Sequence, residues 1–241
     1  MKEFVANLLH GERNLFLVLN GSNSVLLDGI MSAVSSSKIW IPLYVFVLFM
    51  IFYRSIFRKH EKQADFRTNL YYSLFVTLFF ILLIVCCDQF SSGLIKPIFE
   101  RPRPGHHPDF KDVVKVVNNH RGGGYSFISG HATNAVGFAV FCSLMFKNRW
   151  VTAVALVWGL FIAYSRIYLG MHFVSDVVGG IIVGTLIALS LYYVAFVPLR
   201  KKLFKLAPSA SAHIYSEHNG SVLAIGFAAY FVGVVLYGAL S

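Results

Sequence analysis

Uninterrupted apolar runs restrict what this chain can fold into more than any other feature. Six stand out, at roughly 39–57, 70–87, 132–146, 150–164, 174–197 and 221–240. A bilayer hydrocarbon core of about 30 Å takes roughly 20 helical residues to cross. Backbone groups in lipid must be paired within their own segment, so runs of this length read as helices. The expected fold is all-α, a polytopic membrane bundle of about six transmembrane helices. The third and fourth runs are short for a crossing, and their helices are expected to extend into flanking polar sequence. The segment 14–35 is apolar in part but interrupted by Asn20, Gly21, Asn23 and Asp28. It reads as an N-terminal interfacial or re-entrant stretch, with a true span as the alternative.

Composition points to the same solvent. Charged residues make up 13% of the chain, against roughly 25% in soluble domains, and the mean hydropathy is +0.65. One integral-membrane domain over 1–241 is the expected organisation. The net charge of +10 lies in short loops beside apolar runs, which favours anionic headgroups and topology control over nucleic acid. Cys86, Cys87 and Cys142 all fall inside apolar runs, and their odd number and spacing suggest buried thiols, not a disulfide frame or metal site. The opening MKEFVANLLHGERNLF lacks signal-peptide patterning, so the first spans are expected to serve as uncleaved insertion signals.

Six spans make the loops alternate sides. One side receives eleven Lys/Arg and three acids, the other ten Lys/Arg and eight acids. Basic excess marks the cytoplasmic side, which puts the loop 91–130 and the turn 165–172 outside, together on one face. That face gathers Lys96, Arg101, Arg103, His131, Arg166, His172 and Asp176. Cations there run against the topological tendency. Snorkelling to headgroups accounts for any one of them, but three patterns act jointly.

The first is Lys96-x6-Arg103-Pro104, where Pro102 and Pro104 favour extended backbone and a rigid strip of guanidinium groups. The second is Ser126-Phe127-Ile128-Ser129-Gly130-His131, opening the third span. Ser129 suits a helix cap and Gly130 permits close backbone approach, and a helix start attracts anions; a plain capped helix with an interfacial His is the alternative. The third is Ser165-Arg166-x5-His172-x3-Asp176. His172 and Asp176 share a face if a helix has begun there, and the carboxylate would then fix the imidazole tautomer.

In this order and on one face, the three patterns resemble the type 2 phosphatidic acid phosphatase (PAP2) superfamily of membrane lipid phosphatases, over residues 96–176. The resemblance implies that Lys96, Arg103 and Arg166 grip the phosphoryl oxygens, helped by backbone N–H groups at Ser129 and Gly130. It implies that His172 attacks phosphorus to form a phosphohistidine, oriented by Asp176. His131 would protonate the leaving oxygen and then activate water. Phosphoryl transfer needs mainly positioning and charge stabilisation, which three fixed cations can supply. Those cations lower the pKa of His172 while Asp176 raises it. No metal or cofactor is implied, because the clustered carboxylates of two-metal sites are missing from the sequence. Ile128 departs from the family pattern, which has proline there, and puts the rigidity of the approach in question.

The implied activity is hydrolysis of a lipid phosphate monoester or pyrophosphate, at the outer leaflet of a bacterial inner membrane with the site facing the periplasm. The loop 105–125, with His106, His107, Lys111, Lys115, His120 and Arg121, suits a large anionic headgroup. Undecaprenyl pyrophosphate or lipid A is therefore favoured over phosphatidylglycerophosphate. An anion transporter would place ionisable groups near the midplane, whereas these span interiors are nearly clean. A non-catalytic lipid binder would need no nucleophile, orienting acid and proton donor together.

Overall fold

The structure, a computed structural model, describes residues 2–57, 66–108, 110–119, 121–204 and 215–241. The basic stretch 58–65, Lys205 and His120, which entered the topology and loop expectations, lie outside the described residues.

Helices α1 (Lys2–Asn20) and α2 (Val25–Ser35) come first. After a 3-10 turn, α3 (Ile41–Phe57) and α4 (Phe66–Asp88) cover the first two apolar runs. Helix α4 continues through a π-helical segment, Gln89–Ile95, into the single turn α5 (Lys96–Phe99). Then come α6 (Gly130–Phe146), α7 (Arg149–Tyr168) and α8 (Val174–Ser190), the last prolonged by a second π segment into α9 (Val197–Phe204). Helix α10 (Glu217–Leu240) closes the chain. Each expected span has its helix. By length and composition, four helices among the described residues are long and apolar enough to cross a membrane, or up to five if a bent pair counts as one.

Two expectations about length meet different fates. Helix α7 does run into polar sequence, so Ser165–Tyr168 belong to its last turn and are not part of an outward turn. Helix α6 gains only Gly130 and His131. Its 17 residues rise about 25 Å, less than a hydrocarbon core. The N-terminal stretch is the bent pair: 106° separates its two helical arms. One face of its second arm packs on the bundle, with Ile30, Met31, Val34 and Ser35 of α2 buried against α7 and α10, while Val18 and Val25 stay exposed. Asn20 holds the bend by donating to the carbonyls of Ile167 and Tyr168 while accepting from Lys115 N.

Helix α6 is the centre, packed by α4, α7 and α8. Its contact with α8 depends on Gly184, where a Cβ would lie 2.3 Å from the Thr133 carbonyl oxygen. Small residues let helix backbones approach in lipid, where apolar burial alone gives little drive. Aromatic rings fill the middle. Trp40 meets Trp158 edge-on at 5.5 Å, and Tyr44 meets Phe138 at 5.1 Å. The close α6–α8 pair brings the start of α6, the start of α8 and the end of α7 to one end of the bundle.

Candidate active site

Local sequence dictates how each side chain reaches that end. Ser129 caps α6 in extended conformation, its Oγ accepting from Ala132 N. The first-turn amides of a helix have no intrahelical acceptor, which leaves Gly130 and His131 N–H available. Ser129 N–H, expected in the same cradle, is instead committed to the Asp176 carbonyl at 2.9 Å. A Cβ at Gly130 would come within 3.3 Å of Ser91 Oγ and 3.8 Å of Lys96 Nζ. Glycine is therefore what lets α6 start beside the lysine. The π segment before Lys96 shifts the helix phase at this point, as π-bulges often do near functional sites.

His172 and Asp176 do pair, but not because they share a helix face. Helix α8 begins at Val174, so His172 precedes it. Asp176 is the third helical residue, and its Oδ2 reaches back to accept from Phe173 N at 2.8 Å. That N-terminal cap turns the carboxylate toward the preceding loop. His172 Nδ1 lies 3.5 Å from Asp176 Oδ2 and 3.3 Å from Ser126 Oγ, while Ser126 donates to Asp176 Oδ2. Ser126 is fully buried and belongs to the imidazole's support.

A third support is Arg101. Its Nη1 donates to Asp176 Oδ1 at 2.7 Å and to Ser175 Oγ at 2.6 Å. Its Nη2 pairs with Glu12 of α1 at 2.9 Å, and its guanidinium lies over the Phe173 ring at 4.3 Å. Glu12 also accepts from Ser175 N at 2.9 Å. The residue had been grouped only with the outward cations, and Glu12, 89 positions away, had no sequence signal.

On the other side of the ring, Arg103 Nη1 donates to His172 Nε2 at 3.3 Å and to the Met171 carbonyl at 3.2 Å. Arg103 backbone is extended, as the flanking prolines predict. Arg166 is 9% exposed; its Nη1 donates to Ser35 Oγ of α2, and its Nε is buried with no hydrogen-bond partner among the described residues. Lys96 feels the charges of both arginines and, opposing them, those of Asp88 and Asp176. None of these three cations makes a salt bridge among the described residues. His131 lies among the cations Arg166, Lys96 and Arg103 and beside His172, and its Nε2 lies 3.3 Å from Ser37 Oγ. Ile128, in place of the family's proline, is 1% exposed and packs on α8 at Gly179, so burial holds the approach.

His172 sits in the α7–α8 loop, and its pKa is pushed down to about 4. Burial is the main cause; the Asp176 hydrogen bond opposes it, and Arg103 and Arg166 add to it. Near neutral pH the imidazole is uncharged. Its Nε2 accepts from Arg103, so the ring proton belongs on Nδ1, toward Ser126 and Asp176. This is a nucleophile's tautomer. Among the described residues no group of three His, Cys, Asp or Glu side chains could hold a metal ion. The positive charge instead comes from Lys and Arg, which present donors to an anion and no ligand atom to a metal.

Fold and site together define a polytopic α-helical membrane protein that sets a buried His–Asp pair beside the cations Lys96, Arg103 and Arg166. The chain belongs to the PAP2 superfamily, whose sequence profile matches residues 74–199. A lipid A 4'-phosphatase of Porphyromonas gingivalis is 39% identical over 211 residues, covering 87% of this chain and 83% of its own length. A lipid A 4'-phosphatase of Bacteroides thetaiotaomicron is 31% identical over 196 residues, 81% of this chain and 80% of that one. The crystal structure of a transmembrane PAP2-type phosphatidylglycerolphosphate phosphatase from Bacillus subtilis superposes with a TM-score of 0.57 at 22% identity, covering 82% of this chain and 88% of that one. Aquifex aeolicus LpxE does so with a TM-score of 0.51 at 23% identity, over 74% and 93%. At those identities the two structures share the fold.

Proposed function

We propose that this chain is an integral-membrane lipid phosphatase that removes a phosphate from a lipid A-type headgroup through a phosphohistidine on His172. One observation carries the reading: a neutral, backed imidazole has its Nε2 on the side of three cations, none of which makes a salt bridge among the described residues. An enclosed cluster of like charges is costly without a counter-charge, and a phosphate is the anion whose geometry fits guanidinium donors. The 39% identical lipid A 4'-phosphatase supports the headgroup.

In the first step Nε2 attacks phosphorus and the bond from phosphorus to the lipid oxygen breaks. His131, which takes up a proton with the arriving phosphate, gives it to that oxygen, releasing the lipid alcohol. Asp176 and Ser126 stabilise the charge that appears on the His172 ring. Lys96, Arg103, Arg166 and the Gly130 amide hold the phosphoryl oxygens as charge spreads over them. Water then attacks the phosphohistidine and gives its proton to His131. Inorganic phosphate leaves and His172 returns neutral. Charge is supplied by fixed side chains, so the reaction runs without an added metal ion. The basic excess of the opposite face supports an inner-membrane location with the site toward the periplasm.

The test is phosphate release by purified protein in detergent with excess EDTA, from lipid A, undecaprenyl pyrophosphate and phosphatidylglycerophosphate. Release is expected to persist in EDTA and to be fastest from lipid A. Release only in the absence of EDTA would overturn the metal-free mechanism, and a faster rate on another lipid would overturn the headgroup.

A further inference from the structure

The joint between α2 and α3 belongs to none of the three motifs, yet it reaches two of their residues. Ser35, the last residue of α2, is buried, and its Oγ accepts from Arg166 Nη1. Two positions on, Ser37 opens the 3-10 turn Ser37–Trp40, and its Oγ lies 3.3 Å from His131 Nε2. Arg166 is on α7 and His131 on α6, so the joint touches two helices of the site. It is tied at both ends. Ser36 N donates to the Ala33 carbonyl at 3.1 Å. The Trp40 indole N–H donates to the Val34 carbonyl at 2.8 Å, and its buried ring meets Trp158 of α7. A segment held in this way presents its hydroxyls in a fixed place.

The two histidines of the site are supported differently. His172 has the Asp176 carboxylate and Ser126 beside its Nδ1. For His131, Ser37 is the one side chain within hydrogen-bond distance of the ring among the described residues. The difference suits two tasks. A ring that becomes charged on forming a covalent bond gains from a carboxylate. A ring that gives up a proton and takes it back gains from a neutral partner, because a carboxylate would hold the charged form. A hydroxyl oxygen can accept from Nε2–H, and the hydrogen bond at one ring nitrogen decides the state of the other. Nδ1 is then the nitrogen that exchanges protons.

We propose that Ser37 is a positioning residue for proton transfer by His131, its Oγ accepting from Nε2–H so that Nδ1 carries the exchanged proton. The inference rests on the phosphatase reading and adds to it a residue from outside the motifs. In the first step the bond from His172 Nε2 to phosphorus forms as the bond from phosphorus to the departing oxygen breaks, and the proton on His131 Nδ1 goes to that oxygen. In the second step Nδ1 takes a proton from the attacking water. Nε2–H stays with Ser37 throughout. Ser37 acts through the ring and not on the phosphate.

Two small esters, phenyl phosphate and p-nitrophenyl phosphate, separate this role from a structural one. They are close in size, but the nitro group makes the departing oxygen a much weaker base that needs less help from an acid. The quantity to follow is kcat/KM, which reports the first transfer. In detergent, Ser37→Ala is expected to lower it about tenfold for phenyl phosphate and only about twofold for p-nitrophenyl phosphate. Equal losses on the two esters would overturn the inference, because a disturbed pocket lowers both alike. Undiminished rates on both would overturn it as well. In a His131→Ala background, Ser37→Ala is expected to add no further loss on p-nitrophenyl phosphate. A further loss there would show that Ser37 acts on something other than His131. A wild type that releases phosphate from neither ester nor from lipid A would overturn the phosphatase reading itself, an outcome distinct from equal losses.

Discussion

The two sides of the His172 ring are built on opposite plans. Behind Nδ1, donors and acceptors answer one another: Ser126 and Arg101 meet Asp176, and Glu12 meets both Arg101 and Ser175. Two carboxylates and one guanidinium lock together there. In front of Nε2, Arg103, Arg166 and Lys96 lie near one another and none of them makes a salt bridge among the described residues. Asp88 and Asp176 act on the lysine only at longer range, and Arg166 Nε is buried without a hydrogen-bond partner among the described residues. The rear is complete as it stands, while the front becomes complete only around an anion. A site that must bind, transfer and release phosphate needs that asymmetry. On the proposed mechanism, the parts that orient the nucleophile stay fixed and the parts that grip the phosphate change partners in each turnover.

Removing the ring that divides the two sides should have the largest effect. His172→Ala is expected to lower phosphate release by at least about 10⁴-fold, because covalent transfer then has no acceptor. Near-normal turnover would end the covalent mechanism. Asp176→Asn tests the rear at its centre. An amide there neither stabilises the developing imidazolium nor enforces the Nδ1–H tautomer, and a loss of about 10³-fold is expected. An unchanged rate would reduce Asp176 to a cap for α8. Arg103→Gln tests the front, with an expected loss of about 10²-fold in kcat/KM. Inhibition by orthovanadate, a phosphate mimic, should weaken with it. Vanadate binding as tight as in the wild type would mean that the front does not hold the anion.

Much of the front was legible before any coordinates, and less of the rear was. Apolar runs disclose helices because lipid forbids unpaired backbone, and parity of the spans then puts 96–103, 129–131 and 166–176 on one face. The i, i+4 spacing of His172 and Asp176 pointed to a real pair for a reason that does not hold, since the contact comes from an N-terminal cap reaching back past the helix start. Ser129 had looked like part of the anion cradle, but its amide joins α6 to α8. Glu12 could not be found, because its meeting with Arg101 depends on the 106° bend that returns the N-terminal pair to the bundle. Nothing local in the sequence records a contact made across 89 positions.

Arg101 offers the finest test of the comparison, because only Pro102 separates it from Arg103 while it serves the opposite side of the ring. Arg101→Gln should cost about tenfold in rate and leave orthovanadate affinity within about twofold of wild type. Its distinguishing effect is on pH. On the proposed mechanism the uncharged form of His172 does the chemistry, and burial pushes its pKa down to about 4, so activity is expected above that value and is expected to fail as pH falls through it. Without the guanidinium, the negative charge of Asp176 acts on the ring with less compensation and favours the imidazolium. The acid limb of kcat should therefore move upward by about one pH unit, toward the ordinary range of histidine, and Arg101→Lys should largely restore it. Loss of packing alone would lower the plateau and leave the limb where it was. A limb that stayed put in Arg101→Gln would show that Arg101 braces the loop without tuning the nucleophile. A limb that moved together with a large loss of vanadate affinity would show that the two sides of the ring are not separate.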